Sequence, residues 1–184
     1  MKVGVALGRF QILNLKHIEY ILAAKMRCDR LFIGIEEPDI LYRDKANELE
    51  RGNLAKENPL TYIERYEMIC QALLEFGMTK NDFDIIPFPT YYPDYLHQYI
   101  PSQVTYFLTV ADKWDRQRKR TLDKLKLPYE VLWERDAKSR GATEKEILQM
   151  VITDDDWEKY VPKSTVKYMK KEKLVQKIKD ALIE

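Results

Sequence analysis

The chain has 184 residues, a length that suits one domain. Hydrophobic residues make 45% and charged residues 33%, which excludes a disordered chain, and no window approaches the ~20 apolar residues of a membrane span. Lys and Arg number 31 against 30 Asp and Glu, so a formal net charge of +1 gives no global pull toward nucleic acid or a membrane.

The opening MKVGVALGRF reads as a strand over Lys2 to Leu7 and lacks the apolar run and cleavage site of a signal peptide. His17 to Met26 carries apolar residues at helical spacing, and Leu31 to Ile35 is a second strand. The polar, weakly periodic stretch Glu36 to Glu57 reads as a long loop over the sheet. Pro59 to Phe76 is a helix, with Asn58 before Pro59 marking its start and Gly77 its end. Asp84 to Phe88 and Val104 to Val110 are the third and fourth strands. Trp114 to Leu125 is a basic helix, Tyr129 to Trp133 the fifth strand, and two helices finish the chain.

This alternation predicts an α/β fold: a doubly wound, mainly parallel five-stranded sheet with C-terminal helices. The expected organisation is one domain over 1–184, with 158–184 as a helical extension. Cys28 and Cys70 read as thiols of a reducing cytosol, and with two cysteines and two histidines no metal site is expected. A cytoplasmic location follows.

Doubly wound sheets bind ligands at the carboxyl ends of their strands. The first such end here is Gly8-Arg9-Phe10-Gln11, followed by a helix starting near His17. The glycine permits a tight turn, the helix start presents free N–H groups, and Arg9 and His17 add donors. On these residues alone, a phosphate site and an ordinary strand-to-helix turn both stay open.

The same residues resemble the nucleotidylyltransferase superfamily, specifically the archaeal type of nicotinamide-mononucleotide (NMN) adenylyltransferase. That family has G-R-F-Q-P after the first strand and H-x-G-H on the next helix. Gly8, Arg9, Phe10, Gln11 and His17 match; Ile12, Asn14 and Lys16 replace proline, histidine and glycine. Asn58-Pro59-Leu60-Thr61 with Glu64-Arg65 resembles the family's N-P-F-T-x-x-E-R helix start. Trp157-Glu158 with Val161-Pro162-Lys163-Ser164 resembles its W-E-x-x-V-P-x-S. Where relatives carry S-G-T-x-I-R, this chain has Thr143, Glu144 and, in the arginine's place, Leu148.

The resemblance implies a Rossmann-like nucleotidylyltransferase fold. It also implies transfer of an adenylyl or related nucleotidyl group from a nucleoside triphosphate, ATP with Mg²⁺, to a phosphorylated small molecule. His17, Asn14 and Lys16 would be catalytic. Gly8, Arg9, Phe10, Gln11, Arg140 and Thr143 would bind the nucleotide's phosphates, and Arg65 and Tyr92 the acceptor. The partners implied are a nucleotide and a small phosphorylated substrate, with neither membrane nor nucleic acid, and a homo-oligomer is left open. The alternatives are a diverged nucleotide-binding protein without catalysis, or a different reaction on a nucleotide.

The departures carry chemical consequences. Asn14 can still donate through its amide. Leucine cannot replace a bidentate phosphate clamp, a loss of ~3–4 kcal/mol in transition-state stabilisation, about 10²–10³ in rate. Thr143 with Glu146 spells a capping box that closes the helix start internally. Lys16 and Arg140 are the candidates for a replacement cation. Tyr91, Tyr92, Tyr95 and Tyr99 form an aromatic cluster, His97 reads as structural, and Asp154 to Asp156 as a turn. NMN adenylyl transfer is therefore expected to be slow or absent. An assay with ATP, Mg²⁺ and NMN checks this; turnover of ~1–10³ per second would contradict it.

Overall fold

The computed structural model describes residues 1–38, 58–90, 92–136 and 141–183. The expected loop over 36–57 falls mostly outside the described residues, as do Tyr91 and Arg140. Five strands form one sheet: β1 (Val3–Gly8), β2 (Arg30–Glu36), β3 (Phe83–Phe88), β4 (Thr105–Val110) and β5 (Tyr129–Glu134). Their order is β3-β2-β1-β4-β5 and every pairing is parallel. Six α-helices are seen among the described residues: α1 (Leu15–Lys25), α2 (Tyr62–Glu75), α3 (Lys113–Leu125), α4 (Glu144–Thr153), α5 (Lys163–Lys171) and α6 (Leu174–Ile183). None is long and apolar enough to cross a membrane.

The strand residues alternate between two cores, the mark of helices on both faces. Ala6, Leu31, Ile33, Ile35 and Phe107 pack with α1, α2 and α4 on one face. Val5, Leu7, Tyr106 and Leu108 face Leu122 of α3 and Ile100 on the other. The segment 158–184, expected as an extension, enters the first core through Val161, Met169, Leu174 and Ile178. Helix α5 packs on α2 and α6 on α4. Glu75 accepts hydrogen bonds from the Lys163 and Ser164 N–H groups at 3.3 and 2.7 Å, and Lys177 bridges to Glu64 at 2.6 Å.

Two boundaries differ from expectation for local reasons. Helix α2 is capped by Thr61, not Asn58: Thr61 and Glu64 exchange side-chain and backbone hydrogen bonds in a capping box. Asn58 instead donates to Glu37 at 2.9 Å. Three α-helices, not the expected two, follow β5, because the lysine-rich C-terminal stretch is broken at Lys173, whose φ of 55° separates α5 from α6.

Two side chains hold the carboxyl ends of the strands. Tyr20 of α1 sits where direct pairing of β1 with β4 ends, at Ala6 and Phe107. Its hydroxyl accepts from the Leu7 N–H at 3.0 Å and donates to the Phe107 carbonyl at 2.7 Å. Burial pushes this phenol up to about 12, so it stays protonated and keeps donating. Arg65 of α2, expected to bind the acceptor, is 1% exposed and takes a framework role instead. Its Nη1 donates to the Arg9 and Glu36 carbonyls at 2.9 and 2.8 Å, its Nη2 to the Glu37 carbonyl at 2.8 Å, and its Nε to the Thr61 carbonyl at 3.3 Å. Four of its five N–H donors are spent on backbone carbonyls of the protein. Replacing Arg65 with methionine should leave these carbonyls unsatisfied and cost about 3 kcal/mol or more, lowering the Tm by ~6–12 °C. Calorimetry checks this; an unchanged Tm would show that water satisfies them.

Candidate anion site at the carboxyl end of the first strand

Beyond β1 the chain turns sharply. Gly8 is required by packing: a Cβ there would lie 2.8 Å from the Phe10 ring. Phe10 is fully buried, with a left-handed backbone (φ 55°), and its ring meets the His17 ring edge-on at 5.1 Å. The Phe10 ring thus fills the space beside Gly8. The Gln11 side chain is also internal. Its amide donates to the Leu60 carbonyl at 3.0 Å and accepts from the Leu60 N–H at 2.9 Å, tying the turn to the start of α2. What Gln11 offers outward is its backbone N–H.

Asn14 caps α1 and fixes His17. The His17 N–H donates to Asn14 Oδ1 at 3.0 Å, and the Asn14 N–H donates to His17 Nδ1 at 3.2 Å. With Nδ1 accepting, the proton of the neutral ring sits on Nε2, assigned from this bond. Burial pushes the His17 ring down from its ordinary value. The Glu144 carboxylate opposes that shift and Arg9 adds to it. The imidazole is therefore a neutral donor at pH 7, with Nε2 facing Glu144.

Glu144, the first residue of α4, supplies what these donors meet. Its carboxylate accepts the Gln11 N–H at 2.9 Å and the Arg9 Nη2 at 3.2 Å, and lies 3.5 Å from His17 Nε2. Burial alone would raise this carboxyl. The Arg9 charge, His17 and the Gln11 N–H outweigh it and hold Glu144 below the ordinary carboxylate range. A guanidinium, a backbone N–H and an imidazole N–H converging on one carboxylate form an anion seat.

The remaining expected residues lie around this seat or away from it. Thr143 is a cap: its Oγ1 accepts from the Glu146 N–H at 3.2 Å, and its N–H donates to Glu146 at 2.7 Å. Lys16 is half-exposed, pairs with Glu19 at 3.5 Å, and its Cε lies 3.0 Å from where a Gly141 Cβ would stand, so the α4 approach does return to the start of α1. Leu148 is buried in the core. Tyr92 is 39% exposed and meets the Tyr95 ring edge-on at 6.4 Å. Two charge pairs escaped the sequence reading. Arg135, just past β5, clasps Glu19 at 2.8 and 3.0 Å and covers the Trp133 ring at 4.6 Å. Arg118 of α3 reaches Glu36 at the end of β2 at 2.6 Å. The position of Arg135 at a strand's carboxyl end was the one available signal.

Comparison with known proteins follows the same line. No protein-family model matches the chain. It is 38% identical over 170 residues, covering 91% of this chain and 90% of the relative, to phosphonoformate cytidylyltransferase of Streptomyces viridochromogenes. It is 27% identical over 183 residues, 96% of this chain and 87% of the relative, to nicotinamide-nucleotide adenylyltransferase of Thermococcus sibiricus. Among solved structures, a bifunctional NMN adenylyltransferase/ADP ribose pyrophosphatase from Francisella tularensis superposes with a TM-score of 0.70 at 16% identity. That match covers 99% of this chain, which spans 52% of that structure, and it speaks to fold alone. Sheet order, the turn after β1 and these relatives define an α/β protein of the nucleotidyl-transfer class. The chain belongs to the nucleotidylyltransferase superfamily.

The seat makes stability depend on pH. Below about pH 6.5 an unfolded chain protonates its histidines while folded His17 resists. Below about pH 4.5 unfolded carboxylates protonate while Glu144 stays ionised. In both windows the unfolded state binds more protons, so stability falls as pH falls. The Tm should decline on acidification from pH 7, and His17→Gln should flatten the decline just below pH 6.5. An identical slope in the variant would refute the His17 contribution.

Proposed function

We propose that the protein transfers a nucleotidyl group from a nucleoside triphosphate to a small anionic acceptor, with the triphosphate's phosphates in the seat that Glu144 fills. The observation carrying this reading is the convergence of Arg9, the Gln11 N–H and His17 Nε2 on one anionic group at the carboxyl end of β1. In the reaction an acceptor oxygen attacks the α-phosphorus, the α–β bridging bond breaks, and pyrophosphate leaves with the electron pair. Such transfer needs positioning and charge neutralisation more than covalent help. Arg9 neutralises, the Gln11 N–H and His17 Nε2–H donate to phosphate oxygens, and Asn14 holds the His17 ring. Lys16 adds an ammonium near the same turn.

A divalent ion, Mg²⁺ in this reading, suits hard oxygen ligands. The described residues include no cluster of three or more His, Cys, Asp or Glu placed to hold a metal. The carboxylate at the seat is already engaged by Arg9 and Gln11. These residues fit an ion carried in on the substrate's phosphates rather than one caged by protein, and such an ion would supply further charge neutralisation there.

The similarity to a phosphonoformate cytidylyltransferase, at 38% against 27% for the adenylyltransferase, favours CTP as donor and a small phosphonate or phosphate as acceptor. Leu148 in the core supports a departure from the adenylyltransferase pattern. We place the enzyme in the cytoplasm, with its soluble substrates. The test is pyrophosphate release from CTP, ATP, GTP and UTP with Mg²⁺, against phosphonoformate, NMN and simple phosphate esters. CTP with phosphonoformate should turn over fastest, and His17→Ala should lower that rate by ~10²-fold. No pyrophosphate from any pair, or a His17→Ala variant as fast as wild type, would defeat the assignment.

A further inference from the structure

The carboxylate in the seat belongs to the protein itself. The Thr143–Glu146 capping box closes the start of α4 without help from Glu144, which is the next residue and reaches across to a loop more than 130 positions earlier in the chain. It is held there ionised, 15% exposed, against Arg9, with a neutral His17 alongside. The charges of the seat therefore cancel within the protein. An arriving phosphate gains little from Arg9 while Glu144 stays, because the two anions would share one guanidinium.

We propose that Glu144 is an internal ligand of the seat, displaced when the phosphates of a substrate bind and returning when pyrophosphate leaves. This rests on the reading of the seat as a phosphate site and adds a residue that sets affinity and product release. The carboxylate is tethered, so it competes at a high and constant effective concentration. Weak anions are kept out, and pyrophosphate is met by a competitor as soon as one of its contacts loosens.

Displacement has a signature that simple repulsion lacks. A competitor that must leave weakens every ligand of the seat by the same factor. A fixed neighbouring charge weakens ligands in proportion to their own charge. The experiment is titration calorimetry of wild type, Glu144→Gln and Glu144→Gly with inorganic phosphate, pyrophosphate and tripolyphosphate, with folding of each variant verified by thermal unfolding. Two variants are used so that one remains if the other fails to fold. Displacement predicts that all three anions bind about 10-fold tighter or more in the variants, by factors equal within ~3-fold. It also predicts a lower KM for the nucleoside triphosphate with a kcat that falls, since tightened pyrophosphate leaves more slowly. A gain that climbs from phosphate to tripolyphosphate would mean that Glu144 stays and repels, and overturns displacement. No gain in folded variants, with wild-type turnover intact, overturns this inference and leaves the proposed function standing. Folded wild type and variants that bind none of the three anions, and no nucleoside triphosphate, would remove both.

Discussion

A buried guanidinium organises the site. Arg65 brings three chain segments together by giving donors to carbonyls at the turn after β1, at the end of β2 and at the start of α2. Burial pushes this arginine down to about 10, still charged at neutral pH, because carbonyl dipoles and the nearby Glu37 and Glu144 carboxylates stand in for water. Gln11 adds a second tie from the same turn to Leu60. With the turn held on both sides, the Gln11 N–H and the Arg9 side chain are aimed rather than left to fluctuate. The seat is held in shape by two side chains, of Arg65 and Gln11, whose partners are backbone groups of the protein itself.

That division explains which parts were legible in the sequence. Strand and helix alternation is a local property, and all five strands appear within a residue or two of their expected ends. The seat's donors Arg9 and His17 were legible because they sit beside a glycine turn at a strand's carboxyl end. Arg65, Gln11, Phe10 and Thr143 share motifs with the seat's donors, but motif membership does not say whether a side chain points outward or inward. Arg65 and Gln11 point inward because the backbone carbonyls and N–H groups of a sharply turning segment need partners. Thr143 was marked by its T-x-x-E spacing as a cap, and a cap it is. Lys173 gave no warning, since neither glycine nor proline punctuates the helix there. The meeting of Glu144 with Arg9 and Gln11 was hidden by distance along the chain, more than 130 positions in each case.

The mouths of the strands are ringed by charges arranged in pairs. Arg9 faces Glu144, Arg118 faces Glu36, and Arg135 faces Glu19. Each arginine is partly exposed and each is already matched by a carboxylate. Such an arrangement keeps cationic groups ordered without a strong standing field, and leaves recognition to whatever rearranges the pairs. The same balance of signs runs through the whole chain, whose formal net charge is +1.

Tyr20 and His17 lie three residues apart on α1, one with its hydroxyl set between β1 and β4 and the other with its ring in the seat. Each residue of a helix turns the next by about 100°. One residue inserted between them would swing His17 away from Glu144 while Tyr20 held its place between the strands, and a deletion would do the same in the opposite sense. This short stretch of α1 should therefore tolerate substitution but no change of length, with its spacing under tighter constraint than its chemistry.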